Sequence, residues 1–406
     1  MLGVGGMNRK ASLAFIFVTL AIDAIGLGIV IPVLPDVMRR FLTSEMEISR
    51  YYGYFIACYA LMQFISSPWL GSLSDRFGRR PLLLLALLGG GIDYFFMAFA
   101  PTLPLLFVGR IISGVSGASF SVASAYIADI SNDENRSRNF GVTGAGFGLG
   151  FIIGPAIGGV LASHGAMYPF LAAGAFSCLN FLFGLFVLPE SLSRENRRKL
   201  QRSSLNPFKA LGEILKMPKI QALIGVYVLM QMAGQTHPSI WTLYTRHRYG
   251  WTVAQVGVSL AIVGLMSAIS QGGLTGKLVK LFGERKVVRI SAFGQAVCFS
   301  LFALAPTGNI FYGVIFLSSL FWSAQPTIQS LISREVPPSR QGELQGSLLS
   351  LSSLVSIVNP LLMTAVFSIT SNRGGTFYLP GSPYFLGSIF LIIAWMTIRV
   401  WERKHA

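Results

Sequence analysis

"GSLSDRFGRRP" (71–81) returns in altered form as "GKLVKLFGERK" (276–286), 205 residues later in a chain of 406. An offset close to half the chain is the mark of an internal duplication. Each copy is a short basic loop joining two apolar stretches. Duplicated helical bundles in a membrane point to a secondary transporter with its site at the pseudo-twofold axis, near the midplane.

Composition names the solvent. The chain is 52% hydrophobic and 12% charged, with a mean hydropathy of +0.60. A soluble protein carries about twice that share of charge. Apolar stretches fall at 12–34, 52–73, 81–100, 104–128, 139–162, 167–188, 220–243, 254–275, 288–306, 309–332, 343–367 and 379–400. Each supplies the ~20 residues that a helix needs to cross ~30 Å of hydrocarbon. The sequence therefore predicts an all-α membrane protein of twelve transmembrane helices in two pseudo-symmetric six-helix bundles, 1–188 and 220–406. The long, polar, basic segment 189–219 reads as the linker between them. The first apolar run is too long for a signal-peptide core and shows no cleavage signal, so it is taken as helix 1.

Orientation follows from the basic residues. With the N-terminus in the cytoplasm, twenty-five of the 32 Lys and Arg fall on inner segments, six on outer loops, and Arg110 within a helix. That asymmetry places both termini in the cytoplasm. It also accounts for the net charge of +16 without nucleic acid, since the cations are spread over many loops.

Cys58, Cys178 and Cys298 lie in predicted spans without metal-ligand spacing, so neither a metal site nor a disulfide framework is expected. There is no phosphate-binding loop, no HExxH and no nucleophile elbow. No cofactor and no enzymatic centre are expected; the energy source is an ion gradient.

At this point the residues resemble a known family. The 71–81 loop is similar to the G-x-L-x-D-R-x-G-R-R loop of the major facilitator superfamily, and "RIISGVSG" (110–117) to its helix-4 motif. "GFIIGPAIGG" (150–159) resembles the helix-5 motif of its proton-driven antiporters. Closer still, "AIDAIGLGIVIPVLP" (21–35), "YALMQFISSPWLGSLSDRFGRRP" (59–81), "GIDYFFMAFA" (91–100) and "IWTLYTRHRYGW" (240–251) look like the bacterial tetracycline/proton antiporters. The resemblance runs over nearly the whole chain. It implies the superfamily's fold, a multi-pass protein of the bacterial inner membrane, and a monomer working in the lipid bilayer on a small molecule and protons.

For the 71–81 loop the resemblance implies a gate built on Gly71, Asp75, Arg76, Gly78, Arg79 and Arg80. Asp75 would face the start of helix 11, and an arginine of the cluster would reach Asp129 at the inner end of helix 4. A plain topogenic loop needs only cations, and so leaves Asp75 and the glycines unexplained. The second copy has Lys280 in place of Asp75, which argues against a matching lock there. Gly150, Gly154, Gly158 and Gly159 recur at the spacing that brings a helix face against a neighbouring backbone, and Pro155 removes a donor. In such antiporters that tight contact joins helices 5 and 8, and Gly272, Gly273 and Gly276 would supply the partner surface.

Of the sixteen acidic residues only Asp23 and Asp93 lie deep in predicted spans, and Arg110 is the deep strong base. At ~1.5 Å per residue all three reach similar depths and can line one cavity. A bare carboxylate in hydrocarbon is expensive, so such a group is a natural proton carrier. Rocking that changes its separation from Arg110 would load and unload the proton. A static Asp–Arg pair fixing helix packing is the plainer alternative, and Asp23 beside Gly26 and Gly28 equally suits a cation ligand.

The candidate substrate contacts are uncharged: Gln63 in helix 2, Gln231, Gln235, His237 and Trp241 in helix 7, Gln271 in helix 8, Gln295 in helix 9 and Gln329 in helix 10. Some would hydrogen-bond or stack on a planar substrate and others would join helices. By alignment the tetracycline pumps carry a His where this chain has Ser267 and an Asp where it has Gln295. Coupling would then rest on Asp23 and Asp93. The expectation is a proton-coupled antiporter exporting a small amphipathic drug or metabolite by alternating access. A proton-coupled symporter importing a metabolite, and a non-transporting membrane sensor on a transporter fold, are the alternatives.

Overall fold

A computed structural model describes residues 4–117, 119–131, 136–193, 195, 197, 218–337, 340–372 and 378–404. Most of the expected linker lies outside the described residues. Everything regular among them is helical. In the first part of the chain the helices are α1 (Val4–Val30), α2 (Leu34–Arg39), α3 (Glu45–Phe77), α4 (Arg79–Phe99), α5 (Leu103–Gly117), α6 (Ser119–Ile130), α7 (Arg136–Ala162) and α8 (Tyr168–Val187). The second part holds α9 (Pro218–Gly234), α10 (Thr236–Tyr249), α11 (Val253–Ile269), a π-turn (Ser270–Leu274), α12 (Thr275–Phe282), α13 (Glu284–Leu304), α14 (Gly308–Ser319), α15 (Ala324–Arg334), α16 (Gln341–Thr370) and α17 (Ser382–Lys404).

Eight spans among the described residues are long and apolar enough to cross a membrane by themselves. The other four expected spans are helical too, with local reasons for their weaker signal. α3 carries Glu45, Glu47 and Arg76 at its ends and Pro68 inside. α7 opens on a polar turn. The spans 220–243 and 309–332 are broken, at Gln235 and at the turn after Ser319. A break at membrane depth needs its backbone groups satisfied; at the first one, Asn359 Nδ2 donates to the Met232 carbonyl at 2.6 Å. Side chains such as Phe186, Leu281 and Val160 are mostly exposed, which suits contact with lipid rather than water.

The chain forms two compact units. One comprises Met1–Phe41, Cys58–Pro207 and Val253–Ala261; the other Leu42–Ala57, Phe208–Thr252 and Ile262–Ala406. α3 and α11 each contribute to both. The first has a core of Phe15, Ile16, Leu83, Leu87, Tyr126 and Ile127. The second is centred on aromatic rings, with Phe302 within 5.6 Å of both Phe311 and Tyr384 and 6.2 Å from Trp241.

Candidate functional site

The first unit is organised by the seam between α1 and α7. A Cβ added at Gly150, Gly154 or Gly158 would fall within 3.0 Å of the carbonyl oxygens of Ala21, Ile25 and Ile29 respectively. Only glycine permits that approach, so the stripe lays α7 on the backbone of α1. Pro155 fills the space opposite Gly28. Gly159 and the Pro155 carbonyl meet Ala254 and Gly257 of α11. The small residues expected as partners, Gly272, Gly273 and Gly276, have open space around them, and their stretch contains the π-turn instead. The signal for Gly257 was the small residue one turn into the same span.

This seam holds α1 so that Asp23 faces a cavity of about 410 Å³. The walls include Leu20, Leu27, Ala86, Leu87, Tyr59 and Tyr94, with Gln63, Ser113, Ser116 and Ser177 as polar groups. Gln63 also donates to the Gly117 carbonyl at 3.0 Å, which orients its amide. Tyr59 and Gln63 are one helical turn apart in α3, a pairing legible in the sequence but not drawn from it. Tyr94 reaches α1 because Gly26 lacks a side chain; an added Cβ there would stand 2.7 Å from its hydroxyl.

Asp93 and Arg110 lie beside this cavity rather than among its lining residues. Asp93 is fully buried with its carboxyl against α5, 3.1 Å from where a Gly109 Cβ would be. Among the described residues neither of its oxygens makes a hydrogen bond of good geometry, and the Ser113 hydroxyl and the Arg110 guanidinium are the polar groups that act on it. A buried carboxylate without partners is expensive, whereas a neutral acid costs far less. Arg110, also buried, places its guanidinium carbon 4.3 Å from the centre of the Tyr59 ring. Tyr59 therefore touches the cavity and carries the cation.

At the α3–α4 loop, Gly78 adopts φ 109° and starts α4. Arg79 folds inward: Nη2 reaches Asp75 at 2.6 Å, Nε reaches Asp129 of α6 at 3.1 Å, and Nη1 donates to Ser74 Oγ at 2.6 Å. Arg80 donates to the Leu185 carbonyl, while Arg76 lies on the Phe77 ring. Gly71 has open space. Two residues absent from the sequence reading complete the cluster. Glu190 accepts from the backbone N–H of Arg79 and Arg80 at 2.8 and 3.3 Å, and Ser191 donates to Asp129 Oδ2 at 3.0 Å. Their only signal was a lone carboxylate just after an apolar span.

The profile described as Major Facilitator Superfamily matches residues 16–360 and 223–405. The chain belongs to that superfamily. Among curated relatives, the class C tetracycline resistance protein of Escherichia coli is 39% identical, covering 94% of this chain and 96% of that protein. The class G tetracycline resistance protein of Vibrio anguillarum is 37% identical over 97% and 98% of the two chains. Multidrug resistance protein 2 of Bacillus subtilis (strain 168) is 26% identical over 98% and 96%. The solved nucleoside transporter NupG superposes with a TM-score of 0.78 at 14% identity, covering 96% of this chain and 99% of that one. The human organic anion transporter MFSD10 gives 0.70 at 20%, with the same coverage. These two likenesses concern the fold alone. As a superfamily member the chain is a membrane-spanning transporter and not an enzyme.

In the second unit of this transporter most of the glutamines are engaged with protein. Gln231, Gln235 and Ser239, spaced i,i+4 from α9 through the break into α10, pair in order with Ser352, Ser356 and Asn359 of α16 as a polar ladder. Gln329 donates to Tyr227 Oη at 3.4 Å, Gln271 to Ser267 Oγ at 2.6 Å, and Gln295 to the Phe321 carbonyl at 2.9 Å. Ser267 and Gln295 are thus both hydrogen-bonded. His237 sits among Trp241, Phe299, Phe302 and Tyr384, ring centres 4.8 to 5.5 Å away. Neither of its nitrogens has a hydrogen-bond partner among the described residues.

Proposed function

We propose that this superfamily member is a proton-coupled antiporter that exports a small amphipathic, tetracycline-like compound across the bacterial inner membrane by alternating access. The observation that carries the reading is the cavity with Asp23: apolar walls, two tyrosines, serine hydroxyls, the oriented Gln63 amide, and a single carboxylic acid among the lining residues. Its volume is in the range of drug-sized sites. Six curated relatives at 34–39% identity over most of the chain are tetracycline resistance proteins, which supports the substrate class.

Substrate and proton compete for Asp23, and Asp93 carries the second proton position, its state set by the distance to Arg110. The moving bodies are the bundles 1–188 and 220–406, joined by the 189–219 linker. Both termini lie in the cytoplasm, in line with the distribution of Lys and Arg. The Asp75–Arg79–Asp129 cluster is the gate lock at that face. The protein works as a monomer.

The test uses proteoliposomes with a pH-sensitive dye inside, given tetracycline and then a panel of cationic and zwitterionic drugs. Compound-dependent proton movement that Asp23→Asn and Asp93→Asn abolish is the expected result. Binding without proton movement by any compound would overturn the antiporter reading.

A further inference from the structure

The internal repeat carries more than its sequence shows. The 205-residue offset relates Gly78 to Gly283, Arg79 to Glu284 and Asp129 to Arg334. Both glycines open their helices with positive φ, 109° and 74°, and nearly equal ψ, 157° and 156°. α4 and α13 then run 21 residues each. In the first unit Arg79 bonds Asp129; in the second, Glu284 Oε1 stands 3.0 Å from Arg334 Nη2 and accepts from Ser330 Oγ at 2.7 Å. The contact is the same with its charges exchanged. Lys280 falls at the position of Asp75, so the exchange of charge extends to that place in the repeat as well.

Helix electrostatics explain why the inverted pair stands with fewer supports. Helix N-termini favour anions and C-termini cations. Glu284 is the first residue of α13 and Arg334 the last of α15, so both charges sit at their favoured ends. Arg79 opens α4 and Asp129 lies one residue from the end of α6, so both sit at the opposed ends. The first pair is accordingly braced by Asp75, Ser74, Glu190 and Ser191. The second has Ser330 beside it.

We propose that Glu284 and Arg334 form a second, charge-inverted lock that fixes α13 to α15, so that the second bundle moves as one body during transport. These are positioning residues; neither lines the Asp23 cavity. The inference rests on the transport reading above, and its test separates the two.

Glu284→Gln, Arg334→Gln and the exchange Glu284→Arg with Arg334→Glu are compared with wild type in proteoliposomes and by hydrogen–deuterium exchange. Each single change is expected to lower kcat at least about threefold at unchanged KM. It should also speed exchange at 284–290 and 328–334. The exchange variant restores the contact against the helix dipoles, so it should recover part of both. Singles that match wild type in kcat and exchange, or an exchanged pair no better than the singles, would overturn the proposal. If wild type moves no compound, the transport reading fails and exchange protection alone decides the lock.

Discussion

Glu190 lies across the first turn of α4, its Oε1 2.8 Å from the backbone nitrogen of Arg79. One carboxylate satisfies two N–H groups that a helix start leaves free, and it offsets the cation that opens the helix. The Asp75–Arg79–Asp129 cluster is thereby tied to the segment after α8, where Tyr126 Oη also donates to the Pro189 carbonyl at 2.9 Å.

Glu190→Ala should therefore lower the stability of the purified protein by about 0.5–2 kcal/mol, the range for lost helix caps. Glu190→Gln keeps an acceptor and should lose less. Thermal unfolding in detergent reads both, and equal melting temperatures for all three proteins would contradict the capping role.

The glycine stripe gives a sharper contrast. Gly150→Ala drives a methyl into the Ala21 carbonyl of α1, an overpacking that costs about 1–3 kcal/mol. Gly148, on the same helix, has open space, and alanine there should be neutral or gain up to ~1 kcal/mol of helix propensity. The yield of folded protein and its melting temperature should fall for the first and not the second. Similar behaviour in both would mean that the α1–α7 seam is not set by backbone approach.

How much of this was legible follows the range of each signal. Span length and loop charge are local properties, so twelve apolar stretches and the basic character of the 71–81 loop could be read directly, whereas the contact of that loop with Asp129 followed only from the resemblance. The stripe at 150–159 was legible as a packing face, but its partner was not, because small residues occur on several helices and spacing does not say which two meet. The depth of Asp23 and Asp93 could be counted at a fixed rise per residue. Their rotation about the helix axis could not, and it places Asp23 at the cavity and Asp93 behind it. The glutamines show the same limit: their i,i+4 spacing marks one face, while the serines of α16 opposite decide what that face bonds.

That ladder can be tested. Polar contacts between membrane helices average only about 0.6 kcal/mol. Gln235→Leu loses the bond to Ser356 and should lower stability by about that much, leaving the KM for any transported compound unchanged. A KM raised tenfold without loss of stability would instead place Gln235 against substrate.

Tyr59 is where cavity and cation meet, and two substitutions separate its parts. Tyr59→Phe keeps the ring under Arg110, whose attraction to an aromatic face is worth about 0.5–2 kcal/mol. Tyr59→Leu removes the ring while keeping an apolar wall. If the ring holds Arg110 in place, leucine should lower coupled transport by about tenfold, the equivalent of ~1.4 kcal/mol, with phenylalanine close to wild type. A phenylalanine variant as poor as leucine would shift the role to the hydroxyl, whose oxygen lies within reach of Gly117 in α5. Because the ring touches both the cavity and the cation, a change at Tyr59 reaches both. Initial rates of compound-driven proton movement, measured for the three proteins at one imposed pH gradient, distinguish these outcomes.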